Sequence, residues 1–309
     1  PTVYAAKTDQ QGKAYFLLPY GFDYTINLTY ERDIFPLNYP LKEGVLLENE
    51  AFITYRGTAK IREFFKNARR DQHGFITEFM PVEVKKIGFD PSNVQITKHG
   101  YLVNFPAKSE TPTPAILDNG DVIQGGGYYS REVYSFKSKT GLFNWGLELS
   151  DNGVSASVYD ENFLVITTES CTLYAIDAGT GELAWSKWLG PSLNSTPTVA
   201  GGKVYVVYPT RLDNYIIETD NPEMIEKPYA VICFELKTGA ILWQNRIDSE
   251  PLGSPVAYGN SVYITTSKGY LHQFDNTNGK VHCPAKNGGF TSPPTISGEF
   301  VYLSRRSPD

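Results

Sequence analysis

The sequence predicts an all-β fold, a β-propeller of four-stranded blades preceded by a small β-sandwich-like domain and one short helix, and three observations carry that reading. A unit of strand, Thr-Gly or Asn-Gly turn and large or apolar residue recurs four times, its turn glycines Gly141, Gly181, Gly239 and Gly279 standing 40, 58 and 40 residues apart. The strand that opens each unit recurs too, as STPTVAGGKVYVV, GSPVAYGNSVYIT and SPPTISGEFVYLS, each with Val seven residues after Pro. The composition agrees: 21 Tyr, 17 Phe, 27 Gly and 20 Pro in 309 residues describe short aromatic strands joined by many turns.

Residues 1–90 carry no repeat. TDQQGKAYFLLPYGFDYTINLTYERD alternates apolar and polar residues and breaks at Gly12 and Gly21, as strands joined by turns do. Its phrase Asp9-Gln10-Gln11-Gly12-Lys13-Ala14-Tyr15-Phe16, followed by Leu18-Pro19-Tyr20-Gly21, resembles the end of a transthyretin-like or carboxypeptidase-regulatory-like β-sandwich module. The resemblance implies an exported bacterial chain and a module whose earlier strands precede Pro1. Within GTAKIREFFKNARRDQHG, residues 57–74, Ile61, Phe64, Phe65 and Ala68 fall at near-helical spacing with Arg62, Lys66, Arg69 and Arg70 on the other face. One short helix near 58–70 is expected, its cations forming a solvated face.

The expected second domain spans 91–309. KHGYLVNF (98–105) matches SKGYLHQF (267–274), so half a blade precedes the first full unit. The units VYSFKSKTGLFNW, LYAIDAGTGELAW, VICFELKTGAILW and LHQFDNTNGKVHC follow. About four and a half blades are visible; either 98–105 completes the terminal half-blade and closes a small ring, or, the preferred reading since the chain stops inside a blade at RRSPD, the ring continues on the C-terminal side. In each unit the turn glycine accepts a positive φ, and the Trp four residues later, Trp145, Trp185 or Trp243, is expected to dock flat on the neighbouring blade. The residue six before each glycine, Ser135, Ala175, Cys233 or Gln273, is mostly small, as expected where a neighbour's ring packs closely. Cys233 is therefore a packing residue, Cys171 a buried thiol, and Cys283 occupies the Trp position of its unit.

These units resemble the PQQ-type β-propeller repeat, found in pyrroloquinoline quinone dehydrogenases and in the non-enzymatic propeller lipoprotein of the bacterial outer-membrane assembly machinery. The stretch GGGYYSREVYSFKSKTGLFNWGLELSDNG with the units after it carries the likeness, which covers residues 92–309 and specifies fold far better than function. By that resemblance an alcohol-oxidising quinoprotein carries a vicinal Cys-Cys disulfide over its cofactor, a Trp beneath it, Glu and Asn ligands for calcium and an Asp base. No Cys-Cys pair occurs in this sequence.

Charge and residue counts exclude other classes. With 28 Lys plus Arg against 34 Asp plus Glu the formal net charge is −6, contrary to the basic face a nucleic-acid binder needs. No window approaches about 18 consecutive apolar residues, so no helical membrane span is expected. His73, His99, His272 and His282 are scattered and no CxxC or CxxCH occurs, so neither a cysteine zinc site nor a c-type haem is visible. Gly125-Gly126-Gly127 lacks the phosphate-loop continuation and reads as an inter-strand turn.

The 58-residue interval contains an 18-residue excess, PTRLDNYIIETDNPEMIEKP (209–228), between the second and third strands of one blade. Arg211, Asp213, Tyr215, Glu218, Asp220 and Glu223 make it the candidate partner loop, because long loops on rigid scaffolds carry contacts and an aromatic such as Tyr215 can anchor them. Its carboxylates lack EF-hand spacing. The expectation is thus a non-catalytic binding or scaffold propeller with no cofactor, acting on a protein partner in the periplasm or outside the cell. A quinoprotein dehydrogenase using pyrroloquinoline quinone with Ca²⁺ is the alternative, and an accessory subunit of an extracellular electron-transfer complex a further one.

Overall fold

The computed structural model describes residues 23–30, 33–40, 68–106, 111–127, 130–190, 196–210 and 222–305. By contacts the chain divides into Pro1–Ala59 and Lys60–Asp309. In the first unit β1 (Asp23–Tyr30) pairs antiparallel with β2 (Asp33–Pro40), from Asp23↔Pro40 to Tyr30↔Asp33.

The second unit opens with β3 (Lys85–Ile87) and the hairpin β4 (Val94–Thr97) and β5 (Gly100–Val103). Four four-stranded meanders follow. Blade 1 is β6 (Ala115–Ile116), β7 (Val122–Gly125), β8 (Glu132–Phe136) and β9 (Phe143–Glu148). Blade 2 is β10 (Val158–Asp160), β11 (Phe163–Thr167), β12 (Thr172–Asp177) and β13 (Leu183–Trp188). Blade 3 is β14 (Thr198–Ala200), β15 (Lys203–Pro209), β16 (Tyr229–Glu235) and β17 (Ile241–Ile247), with the helix α1 (Pro222–Glu226) between β15 and β16. Blade 4 is β18 (Val256–Tyr258), β19 (Ser261–Thr265), β20 (Tyr270–Asp275) and β21 (Val281–Asn287). A last hairpin, β22 (Thr295–Ser297) with β23 (Phe300–Tyr302), repeats the register of the first two strands of blades 3 and 4: Thr295↔Tyr302 stands where Thr198↔Tyr205 and Val256↔Tyr263 do.

The first strands β6, β10, β14 and β18 neighbour one another in turn, which makes them the inner strands and β9, β13, β17 and β21 the outer ones. Antiparallel order then sorts the connections onto two faces. Inter-blade connectors and the second-to-third-strand turns share one face; the other two turns of each blade share the opposite one.

One bulge recurs in every blade and explains the turn motif. Pairing of third and fourth strands shifts at Ser135/Phe136, Ala175/Ile176, Cys233/Phe234 and Gln273/Phe274. The turn glycine donates its N–H to the carbonyl four residues earlier, as Gly239 does to Glu235 at 2.9 Å. Its φ of +68° is the left-handed region, and an added Cβ would stand 2.6 Å from Cδ2 of Trp185 of the preceding blade. Trp185 therefore lies flat on that glycine, and its Nε1–H donates to the Leu236 carbonyl at 2.7 Å. Trp145 treats Gly181 and the Ala178 carbonyl in the same way, and Trp243 treats Gly279 and the Asn276 carbonyl likewise. Gly239→Ala is expected to lower stability by about 2–4 kcal/mol, left-handed strain plus overpacking, measured as a shift in denaturant midpoint at constant slope.

The small residues have a different neighbour from the one expected. Ser135, Ala175 and Cys233 are the cross-strand partners of Trp145, Trp185 and Trp243 of their own blade, so they leave room for that ring and not for a neighbour's. Cys233 and Cys171 are fully buried, and burial pushes the Cys233 thiol up to about 12. Cys283 faces Gln273 across the same pair of strands.

At the front of the chain the helix expected near 58–70 falls almost wholly outside the described residues, and the expected domain boundary shifts. Residues 57–67 lie outside the described residues, but 68–74 are not helical: Arg70 bridges to Ile76, and Asp71 Oδ1 accepts from the N–H groups of His73 and Phe75 at 2.9 Å each. Residues 68–90 also belong with the propeller, so the division at Ala59 precedes the expected boundary near residue 90. The KHGYLVNF stretch forms the turn and second strand of the β4–β5 hairpin. Its Tyr101 sits over Gly141 with Cγ 2.7 Å from the glycine's ideal Cβ, taking the place that the Trp of a preceding blade takes elsewhere.

Residues 73–87 form a strap across the outer strands of three blades, and it docks at equivalent positions in each. On blade 3, Arg246 and Gln244 donate to the carbonyls of His73 (3.0 Å) and Ile76 (2.7 Å). On blade 2, Trp188 N–H donates to the Met80 carbonyl, while Ser186 Oγ accepts from Val82 N–H and donates to its carbonyl. On blade 1, β3 adds a fifth strand to β9, with Ile87 opposite Gly146. A Cβ at Gly146 would stand 3.1 Å from both Ile87 and Tyr134, so a glycine there lets the strap pass. Ile76 and Phe79 enter the core shared by blades 2 and 3; Val82 and Val84 pack on that of blades 1 and 2.

Candidate functional site

Polar groups concentrate where the strap turn meets blade 3 at the root of the insertion. The second-to-third-strand connection of that blade is the candidate partner loop, and Thr210 N–H closes its base by donating to the Pro228 carbonyl at 2.7 Å. Arg211, Asp213, Tyr215, Glu218 and Asp220 lie outside the described residues; Glu223 is exposed in the first turn of α1.

Beside that root, strand alternation turns Gln244 and Arg246 of β17 outward, under the strap. Arg246 is only 3% exposed. Its Nη1 donates to Thr210 Oγ1 and its Nη2 to the His73 carbonyl, each at 3.0 Å, and its Cζ lies 4.6 Å from the centroid of the Phe75 ring. Among the described residues its Nε has no hydrogen-bond partner. Arg70 approaches from the strap and donates to the Gly74 carbonyl at 3.1 Å. Burial lowers the pKa of both guanidiniums, and for Arg246 the carboxylates of Glu223 and Asp71 oppose that shift. Fully buried Tyr208 completes the cluster by donating to Gln244 Oε1 at 2.5 Å, and burial raises its pKa. The site thus places two guanidiniums on the loop's own face, held by an aromatic ring and fixed carbonyls, and the guanidinium is the group suited to recognition of an anion.

On the same face, polar latches join successive blades. Ser150 Oγ lies 2.7 Å from Tyr174 Oη, and at the equivalent place Asp248 Oδ1 lies 2.6 Å from His272 Nε2 with Thr266 and Ser249 hydroxyls donating to the same carboxylate. Burial pushes the Asp248 carboxyl up, but the hydrogen bonds from His272 and Ser249 outweigh it and the net pKa is lowered. A lowered carboxyl pKa gives stability that is present above the unfolded value of about 4 and lost as pH falls through the folded one. Asp248→Asn is therefore expected to flatten the fall in melting temperature below about pH 4, compared with the parent in the same acid series.

The opposite face carries an open groove of about 420 Å³ lined by Leu117, Asp118, Asn119, Tyr159, Glu161, Asn162 and Gly179, turn residues of blades 1 and 2. Among the described residues no group of three or more His, Cys, Asp and Glu is placed to hold a metal, and no helix is long and apolar enough to cross a membrane. Trp145, Trp185 and Trp243 are all engaged in blade docking. The strap and the Arg246 cluster escape a reading of the sequence, since 75–87 belongs to no repeat and the outward positions of a fourth strand vary from Gly146 to Ser186 to Gln244.

Comparison with known proteins places the repeats. The family model described as outer membrane protein assembly factor BamB matches residues 130–222 and 224–287. The chain is 26% identical over 210 residues to the outer membrane protein assembly factor BamB of Moranella endobia, covering 62% of this chain and 49% of that protein. It is 22% identical over 220 residues to the tetrathionate hydrolase of Acidithiobacillus ferrooxidans, covering 65% and 42%. It thus spans about half or less of the length of these curated relatives. Among solved structures, BamB from Moraxella catarrhalis aligns with a TM-score of 0.49 at 16% identity, over 72% of this chain and 69% of that one. With the bulged Thr-Gly turn, the docked Trp and the four-stranded blades in place, the chain belongs to the PQQ-like β-propeller family described as outer membrane protein assembly factor BamB.

Proposed function

We propose that this chain is a protein-binding propeller of a bacterial cell-envelope or extracellular assembly, and that it engages its partner through the face carrying the blade 3 insertion. The observation that carries the reading is the insertion itself: 18 residues interrupt one blade of an otherwise regular repeat, directly beside the partly unsatisfied Arg246 cluster. Repeat scaffolds hold their strands fixed and vary their loops, so an excursion of this length marks where contacts are made. The family's description and the Moranella relative, both named for outer membrane protein assembly, support the envelope setting and a protein partner. Within the loop, Tyr215 is the proposed anchor and Arg211, Asp213, Glu218, Asp220 and Glu223 the polar rim.

The test replaces 211–227 by a short turn and compares affinity capture from envelope extract of the source organism with that by the parent chain. Loss of a stoichiometric partner, with the melting temperature preserved, is the expected result. Retention of every partner overturns the loop assignment.

A further inference from the structure

The guanidinium of Arg246 is oriented so that its Nε–H and Nη2–H point to one side and form a two-donor fork, the edge that a carboxylate's two oxygens match. Only half of that fork is used. Nη2 donates to the His73 carbonyl while Nε, fully enclosed, has no acceptor. Nη1, on the other side, is satisfied by Thr210 Oγ1. Among the described residues no carboxylate is ion-paired with Arg246: Glu223 and Asp71 act on it only through space. A buried charge held by one neutral carbonyl, one hydroxyl and a ring is under-compensated.

The group that blocks the fork belongs to a small, exposed turn. Asp71, Gln72 and His73 are exposed, and the turn is held together internally by Asp71 and by Arg70 on the Gly74 carbonyl. Among the described residues the tip of the turn is held to blade 3 by the His73 carbonyl and by Phe75 over the guanidinium, while Ile76 at its end is fully buried in the core and its carbonyl accepts from Gln244. Resting on the reading of this face as the partner-binding one, we propose that the Nε/Nη2 edge of Arg246 is a receptor for a carboxylate side chain on an extended segment of the protein partner, with the 71–75 turn as the lid that the carboxylate displaces and buried Ile76 as its fixed end. The His73 carbonyl stands in for one carboxylate oxygen, and the second oxygen takes the orphaned Nε–H. Arg70 adds a second positive charge at the entrance. The single planar fork matches the two oxygens of a planar carboxylate better than a tetrahedral phosphate, and the apolar side chains of Phe79 and Ile76 in the adjoining core favour apolar residues beside that carboxylate.

The test uses the intact chain and three probes at matched ionic strength: acetyl-Leu-Glu-Leu-amide, its Gln counterpart and inorganic phosphate. Amide exchange of the 70–79 segment is followed by mass spectrometry. The Glu peptide is expected to speed lid exchange about tenfold by shifting population toward the open turn. The Gln peptide and phosphate should leave it unchanged. Arg246→Met, which keeps the bulk, should abolish the response; Arg246→Lys, which keeps the charge but not the fork, should abolish the preference for Glu over Gln, and it serves if the Met variant fails to fold. No response, an equal response to Glu and Gln, a response to phosphate, or a response surviving both substitutions overturns the proposal. Partner capture by the parent chain is read separately, so its success alongside any of those results removes the carboxylate receptor and leaves the binding face standing.

Discussion

Trp185→Ala is expected to destabilise the propeller by about 3–5 kcal/mol, the range for removing a large buried aromatic. Two losses combine. The ring leaves a void over Gly239, whose φ of +68° holds the turn so that nothing from the glycine itself can fill it. The Leu236 carbonyl, which accepts Nε1–H at 2.7 Å, is also left without its donor inside the blade interface. Trp185→Phe separates the terms, since it retains most of the ring and removes only the donor; about 1–2 kcal/mol is expected for it. Chemical denaturation followed by the remaining tryptophans gives both values. Equal stability of parent and Ala variant would mean that blade docking does not depend on this ring.

Phe79→Ala is expected to cost a similar amount, about 3–5 kcal/mol, although the residue lies in no repeat and in no blade. Phe79 is 4% exposed and meets Tyr208 edge-on at 5.3 Å and Phe234 at 6.1 Å, so the strap contributes to the core rather than lying on it. Phe234 also contacts Trp185 at 5.7 Å. The two substitutions therefore share a neighbour, and the double variant should depart from additivity by about 0.5–3 kcal/mol. A strap that merely decorates the surface would give a negligible loss and strict additivity. Because the strap spans blades 1 to 3, its release should also speed amide exchange in β3 and along the β9 edge before global unfolding.

How much of this was legible in the sequence follows from what repeats. The Thr-Gly bulge and the Trp four residues on are dictated locally, by a positive φ and a flat ring. They recur in sequence because they recur in space, so the visible blade units, their strand order and the insertion point are legible directly. Ser135, Ala175 and Cys233 are small for a related reason, but spacing alone did not distinguish a partner across the strand from one in the next blade. The strap was not legible. Its docking rests on backbone carbonyls of His73, Ile76 and Met80, which carry no residue signature, and on outward positions of β9, β13 and β17 where different side chains achieve the same end. Arg70, expected on a solvated helix face, is half-buried beside Arg246, because the turn around Asp71 folds the chain back toward Ile76. Arg246 carries no residue signature of its own; its unsatisfied Nε and its burial under the strap are products of packing.

The central claim, that the face carrying the blade 3 insertion binds protein, is tested most directly by site-specific photocrosslinking in the native envelope. A photoreactive residue is placed at Glu223 or Ser170 on the insertion face, and at Lys203 or Thr238 on the opposite one. Discrete protein adducts from the first pair alone, those at Ser170 being lost when 211–227 is shortened, are the predicted result. Adducts from the opposite face alone, or equally from both, would contradict it.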